Sequence, residues 1–267
     1  MNDAGLGRRD ALLAMGLGLA AGLAGVEAAK AEEAKTETPT SMTLAPGAET
    51  LAALAARLEK APRRRDFKTV PMILDNKDFW DHEAIEEIIA YRGGPKQIWD
   101  NVDIAGPWLN LMRNALNVQV FSYKHPNFLA VSATHSTAHL ALLDQAMWDK
   151  YQLAKIAGEK FPTNTLIVEK KGASVDPKDF ENPEGVFSSH NLSISALQRR
   201  GAIFLACHNS LWEVSEKLMA AGVNPDKLSH EAMVAELTNH LVPGAVLTPG
   251  IVGSLPEFQL AGFFFAK

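Results

Sequence analysis

The strongest constraint in this chain is a recurring pair of patterns. An apolar run too short for a helix is followed by a stretch with helical spacing. Residues 128–134 form the clearest run, bounded by Pro126-Asn127 and a polar turn. Residues 202–207, 245–247 and 263–266 repeat it, and 96–99 is a shorter candidate before them. Between the runs, Pro107 opens a helical pattern through Leu109, Met112, Leu116 and Val120. Leu140, Leu143, Met147 and Tyr151 mark another helix, and 194–200, 211–221, 230–240 and 251–260 read as helices too. Apolar strands alternating with helices predict an α/β fold: a doubly wound, mostly parallel sheet of about five strands, covered by helices on both faces as a three-layer sandwich.

Right-handed crossovers bring the carboxyl ends of parallel strands to one edge, where ligands bind in such sheets. Residues 135–137 and 207–210 are therefore the first places to look for function. Ahead of the sheet, Leu51, Leu54 and Leu58 give a helix stopped by Pro62. Residues 67–74 contain Pro71 and read as an edge strand or extended arm. Ile85, Ile88 and Ile89 give a helix ended by Gly93-Gly94-Pro95. Residues 158–190, rich in Gly, Pro, Asn and Lys, read as an irregular insertion within a single domain spanning 67–267.

The N-terminus reads as an address. Arg8-Arg9 precedes an uncharged apolar run of 16 residues, 11–26, and then the small-residue triplet Ala29-Lys30-Ala31. That order is an export signal of twin-arginine type over 1–31. The run is shorter than the ~20 residues that span a bilayer; cleavage is the expectation, and an uncleaved anchor is the alternative. Residues 32–66 then form a flexible lead-in with one short helix, and the expected location is the periplasm or another export compartment.

Composition excludes several classes. With 47% hydrophobic and 21% charged residues, the 267-residue chain is neither disordered nor a coiled-coil rod. Lys+Arg is 26 against Asp+Glu 31, a net charge of −5, which argues against nucleic acid as a partner. The single cysteine, Cys207, excludes an intrachain disulfide and any cysteine-only metal site. No GxGxxG, Walker-type loop or GxSxG elbow is present, and no cofactor is expected. Asp75, Asp78 and Asp81 lack the glycine and terminal glutamate of a calcium loop, so helix capping is expected of them. The five tryptophans read as core, and Arg63-Arg64-Arg65 as a solvated basic run.

Cys207 closes an apolar run, and Asn209 or Ser210 would cap the helix after it. A thiol at a helix N-terminus meets free N–H donors that favour thiolate, the nucleophilic form. Free cysteine is just as often a small buried hydrophobe. Position alone leaves both readings open. His208 is adjacent, although successive residues at a strand end point apart. His135 and His139 are four apart, and Cys207 would complete a weak three-ligand metal candidate if its strand neighbours theirs. His190 and His240 read as loop histidines.

Two blocks stand out. One is Gly201 to Ser210, in which Cys207 ends a strand ahead of Asn209-Ser210. The other runs from Thr248-Pro249-Gly250-Ile251 through Leu255, Gln259, Gly262 and Phe263 to Lys267. Together they resemble the DsrE/DsrF-like sulfur-relay family. The strand at 128–134 with His135 is also similar to the family's earlier strand. The likeness covers roughly 96–267, interrupted by the insertion. It implies a persulfide-carrying Cys207, a homo-oligomer, and a protein that donates or accepts sulfur; His135 or His208 is expected to assist by holding a charge near the sulfur. The export signal, the segments over 50–91 and the helix around 231–237 depart from the family pattern. Non-catalytic binding or assembly with a buried Cys207, and metal binding through His135, His139 and Cys207, stand as the alternatives.

Overall fold

A computed structural model describes residues 42–267; the address at 1–31 and the start of the lead-in lie outside the described residues. Five strands form one sheet: β1 Lys96–Asn101, β2 Leu129–Thr134, β3 Ile203–Cys207, β4 Val246–Thr248 and β5 Phe264–Ala266. All are parallel, in the order β4-β3-β2-β1-β5. The α/β layered fold expected from the alternating pattern is present.

The strand order decides which face each helix covers. From β1 to β4 the chain steps one way across the sheet, so right-handed crossovers place the connecting helices on one side. These are α3 (Trp108–Asn117), α4 (Gln145–Lys150), α5 (Ala154–Ala157), α6 (Ile194–Arg199), α7 (His208–Ala220) and α8 (His230–Asn239). The step from β4 back past β1 to β5 reverses direction, and its helix α9 (Ile251–Leu260) lands on the other side. There it joins α1 (Glu49–Lys60) and α2 (His82–Ile89). Strand alternation sorts the two cores accordingly. Trp99, Ala130, Phe204, Ala206 and Leu247 pack beneath α3 and α7. Ile98, Val131, Ala133, Leu205, Cys207 and Val246 pack beneath α1, α2 and α9.

Local chemistry corrects several expectations. Of the two alternatives for 67–74 the structure takes the arm and not the edge strand: a strap tied down at Phe67, whose N–H and carbonyl both bond the Asn239 side chain, and at Val70, whose N–H donates to the Glu231 carbonyl. The helix expected through 140–151 is two pieces. A 3-10 segment, Ser136–Leu142, ends before Asp144, whose carboxylate accepts from Met147 N–H and starts α4. The α7 helix begins at His208, directly after Cys207, so neither Asn209 nor Ser210 caps it.

Nor is the arginine run simply solvated. Arg65 pairs with Asp81, which is fully buried, and Arg64 grips Glu83 with both terminal nitrogens. Asp81 also accepts from Leu247 N–H at 2.7 Å, while its own N–H donates to the Leu247 carbonyl. With Arg65 donating to the Ala245 carbonyl, these contacts cover the free edge of β4, which would otherwise expose unpaired backbone groups.

Candidate functional site

The carboxyl edge of the sheet gathers the sequence-predicted residues, but on two different faces. Thr134 and Ala206 are register partners on β2 and β3, so His135 and Cys207 follow them side by side. Both continue in extended backbone, with φ of −148° and −103°. Alternation carries both side chains to the α9 face, where Ala133, Leu205 and Cys207 belong to one buried cluster. Asp100 on β1 follows the same alternation, and its Oδ1 accepts from His135 Nε2–H at 2.8 Å. Three adjacent strands thus present Asp100, His135 and Cys207 in a row.

The Asp100 bond fixes the imidazole. With its Nε2 proton held by the carboxylate, the neutral ring keeps Nδ1 as its basic nitrogen. Lys267 sits at the rim, its Nζ 3.6 Å from Asp100 Oδ2. Cys207 is 3% exposed, and its Sγ accepts from the backbone N–H of Ile251 at 3.3 Å. The helix terminus that meets the sulfur is therefore that of α9, not of α7. Asn209 packs across the preceding turn: a Cβ at Gly250 would lie 2.7 Å from its Nδ2. Thr248 is buried beside the thiol on β4, and its hydroxyl donates to the Ala206 carbonyl.

His208 lies on the other face. Its ring is buried and tilted against Trp212, and Nε2–H donates to the Pro71 carbonyl of the strap at 2.9 Å. His139, in the 3-10 segment of that same side, is fully buried with neither ring nitrogen bonded. Burial above all, and then the charges of His135 and His208, push its pKa down to about 3. Burial also lowers that of His208. The loop between them is tied together by Ser136, an exposed residue at φ 53°, whose N–H donates to Ser210 Oγ.

The three-ligand metal candidate fails on this geometry. Cys207 is beneath α9 whereas His139 is within the segment packed on the opposite core. Among the described residues no three His, Cys, Asp or Glu side chains group so as to hold a metal ion. His190 is an exposed loop residue beside Glu184, and His240 is bonded to Asp144. Asp100 and Ile251 are the participants missed in the sequence. Asp100 lay one residue beyond the expected end of β1, and the Ile251 contact is pure backbone.

No family model, curated protein or solved structure matches this chain.

Proposed function

We propose that the protein handles sulfur through Cys207, as an exported relative of the DsrE/DsrF-like proteins. The observation that carries this reading is the Ile251 N–H on the sulfur at the first turn of α9. A helix N-terminus is suited to an anionic acceptor, and here its first donor is given to a thiol flanked by an Asp–His pair. His135 Nδ1 takes the thiol proton. The thiolate attacks the outer sulfur of a persulfide, R–S–SH; the donor's S–S bond breaks and Cys207 becomes Cys207–S–SH. The departing R–S⁻ recovers the proton from His135. A thiol of a partner protein reverses the same exchange.

The test is mass spectrometry of the native protein after polysulfide exposure, with Cys207→Ser as the blank. A gain of one sulfur at Cys207 is expected. Sulfur uptake only after denaturation would favour the second reading, a binding or assembly module with a structural thiol, which the 3% exposure of Cys207 supports. Export belongs to the proposal: Arg8→Lys with Arg9→Lys should leave the chain in the cytoplasm with its N-terminus uncut. So does self-assembly. Leu260 at the end of α9 and Phe264 and Phe265 on the edge strand β5 are 84%, 70% and 44% exposed, apolar side chains suited to contact with a second copy. Light scattering of Phe264→Glu should then show a smaller species than the parent protein.

A further inference from the structure

At the opposite end of β3 from Cys207 lies a cavity of about 470 Å³, between α1 and the amino ends of β3 and β4. Its walls are mostly aliphatic: Leu51, Leu54 and Leu58 from α1, with Ala202, Ile203 and Pro243 across from them. The recess is open to solvent on one side, and its volume lies within the roughly 300 to 1,000 Å³ of small-molecule sites.

Arg63 lines the same cavity and is its decisive feature. Among the described residues, Arg63 makes no ion pair, whereas its neighbours Arg64 and Arg65 are each matched to a carboxylate. Its Nη1 donates to the Ala61 and Pro62 carbonyls, and its buried Nε is without a partner. Nη2 makes no hydrogen bond among the described residues and is the guanidinium donor left for an anion. Burial lowers the Arg63 pKa despite Asp81 and Glu83 nearby, so an anion set against it would relieve an unfavourable position. Glu59 also lines the mouth, exposed and unpaired with Arg63.

We infer that this cavity binds a single-chain carboxylate, its alkyl chain along the aliphatic wall of α1 and its head group on the Arg63 guanidinium. This site is independent of the thiol chemistry. Ile203 and Cys207 are four residues apart on one strand, roughly 13 Å at about 3.3 Å per residue.

Titration calorimetry of the full chain with hexanoate, octanoate and decanoate tests it, with 1-octanol as the uncharged control. Affinity should tighten about fourfold per methylene until the cavity is full. Octanoate should bind roughly ten- to a hundredfold more tightly than 1-octanol, a difference that Arg63→Gln abolishes. Ala55→Phe, which fills the cavity from α1, should remove binding of all chains while leaving sulfur loading of Cys207 unchanged. Circular dichroism checks that this variant is folded; Arg63→Gln removes only local backbone contacts and carries the test if it is not. Absence of binding, equal affinity for acid and alcohol, or uptake seen only with phospholipid vesicles would overturn the assignment.

Discussion

Two fully buried polar side chains, Asp81 beside β4 and His139 on the α7 face, are treated in opposite ways. Beneath α2 and beside β4, the buried Asp81 is saturated: Arg65, Arg64 N–H and Leu247 N–H all donate to it. On the α7 side, His139 is equally buried and has no partner at all, and His208 keeps only one. A saturated buried charge is an anchor whose removal orphans its donors. An unpartnered neutral ring anchors nothing, and its desolvation is an uncompensated cost. The difference predicts which substitutions hurt and which do not.

The largest effect is expected at Asp81. Asp81→Ala leaves Arg65 without its counter-charge and Leu247 N–H without an acceptor, at a cost of about 3–5 kcal/mol, as for a broken buried pair. Urea unfolding at neutral pH measures it. Adding Arg65→Met should recover part of the loss, because the stranded charge is then gone. A loss below 1 kcal/mol for Asp81→Ala would mean that the β4 edge does not depend on this anchor.

His139→Leu should behave in the opposite way. At neutral pH it is expected to be neutral or stabilising, since a buried ring with two unbonded nitrogens gives way to an apolar side chain. The contrast grows in acid. The imidazole titrates near 6.5 in the unfolded chain and about 3 in the fold, so between those values the unfolded state binds a proton that the native state refuses. Stability from this site is complete above 6.5 and declines as pH falls toward 3. Each pH unit in that window is worth about 1.4 kcal/mol, or about 2 kcal/mol by pH 5. The lowered pKa of His208 acts in the same direction. Unfolding curves at pH 7 and 5 should therefore converge in the leucine variant relative to the parent; equal acid sensitivity in both would remove His139 as the cause.

The same contrast explains what was legible in the sequence. All five strands and α9 follow from apolar runs and helical spacing, because burial dictates those residues directly. The adjacency of β2 and β3, which places His135 beside Cys207, is left open by the sequence, because right-handed crossovers fix the face of each helix and not the order of the strands. Polar partnerships are harder to read. Arg65 resembles a solvated residue until Asp81, sixteen positions on, is seen folded against it. The periodicity through Leu140, Leu143 and Met147 is helical, yet Asp144 interrupts it by capping a new helix. Position in the chain made His208 the natural partner of the thiol; pleating sent it to the other side.

In the thiol row partnership is incomplete, and the expected effect is on rate and not on stability. His135 is held by Asp100 through Nε2, but no hydrogen bond joins it to Cys207 in the resting fold. A positioned base contributes roughly 10²- to 10⁴-fold when it reaches the reacting proton. With the imidazole only beside the sulfur, His135→Ala is expected to slow sulfur loading by about 100-fold, the lower end of that range. Asp100→Asn should cost about tenfold, or about 1.4 kcal/mol of barrier. The amide supports the ring weakly and permits the other tautomer, which puts the proton on Nδ1 where the base is needed. His208→Ala serves as the contrast, since its ring faces the strap and not the thiol. Single-turnover loading of Cys207 from a small persulfide, followed across pH, separates these roles. Loss of rate in Asp100→Asn with unchanged stability would mark a positioning residue, whereas slowing in His208→Ala beyond that in His135→Ala would assign the base to the wrong face and break the proposed row.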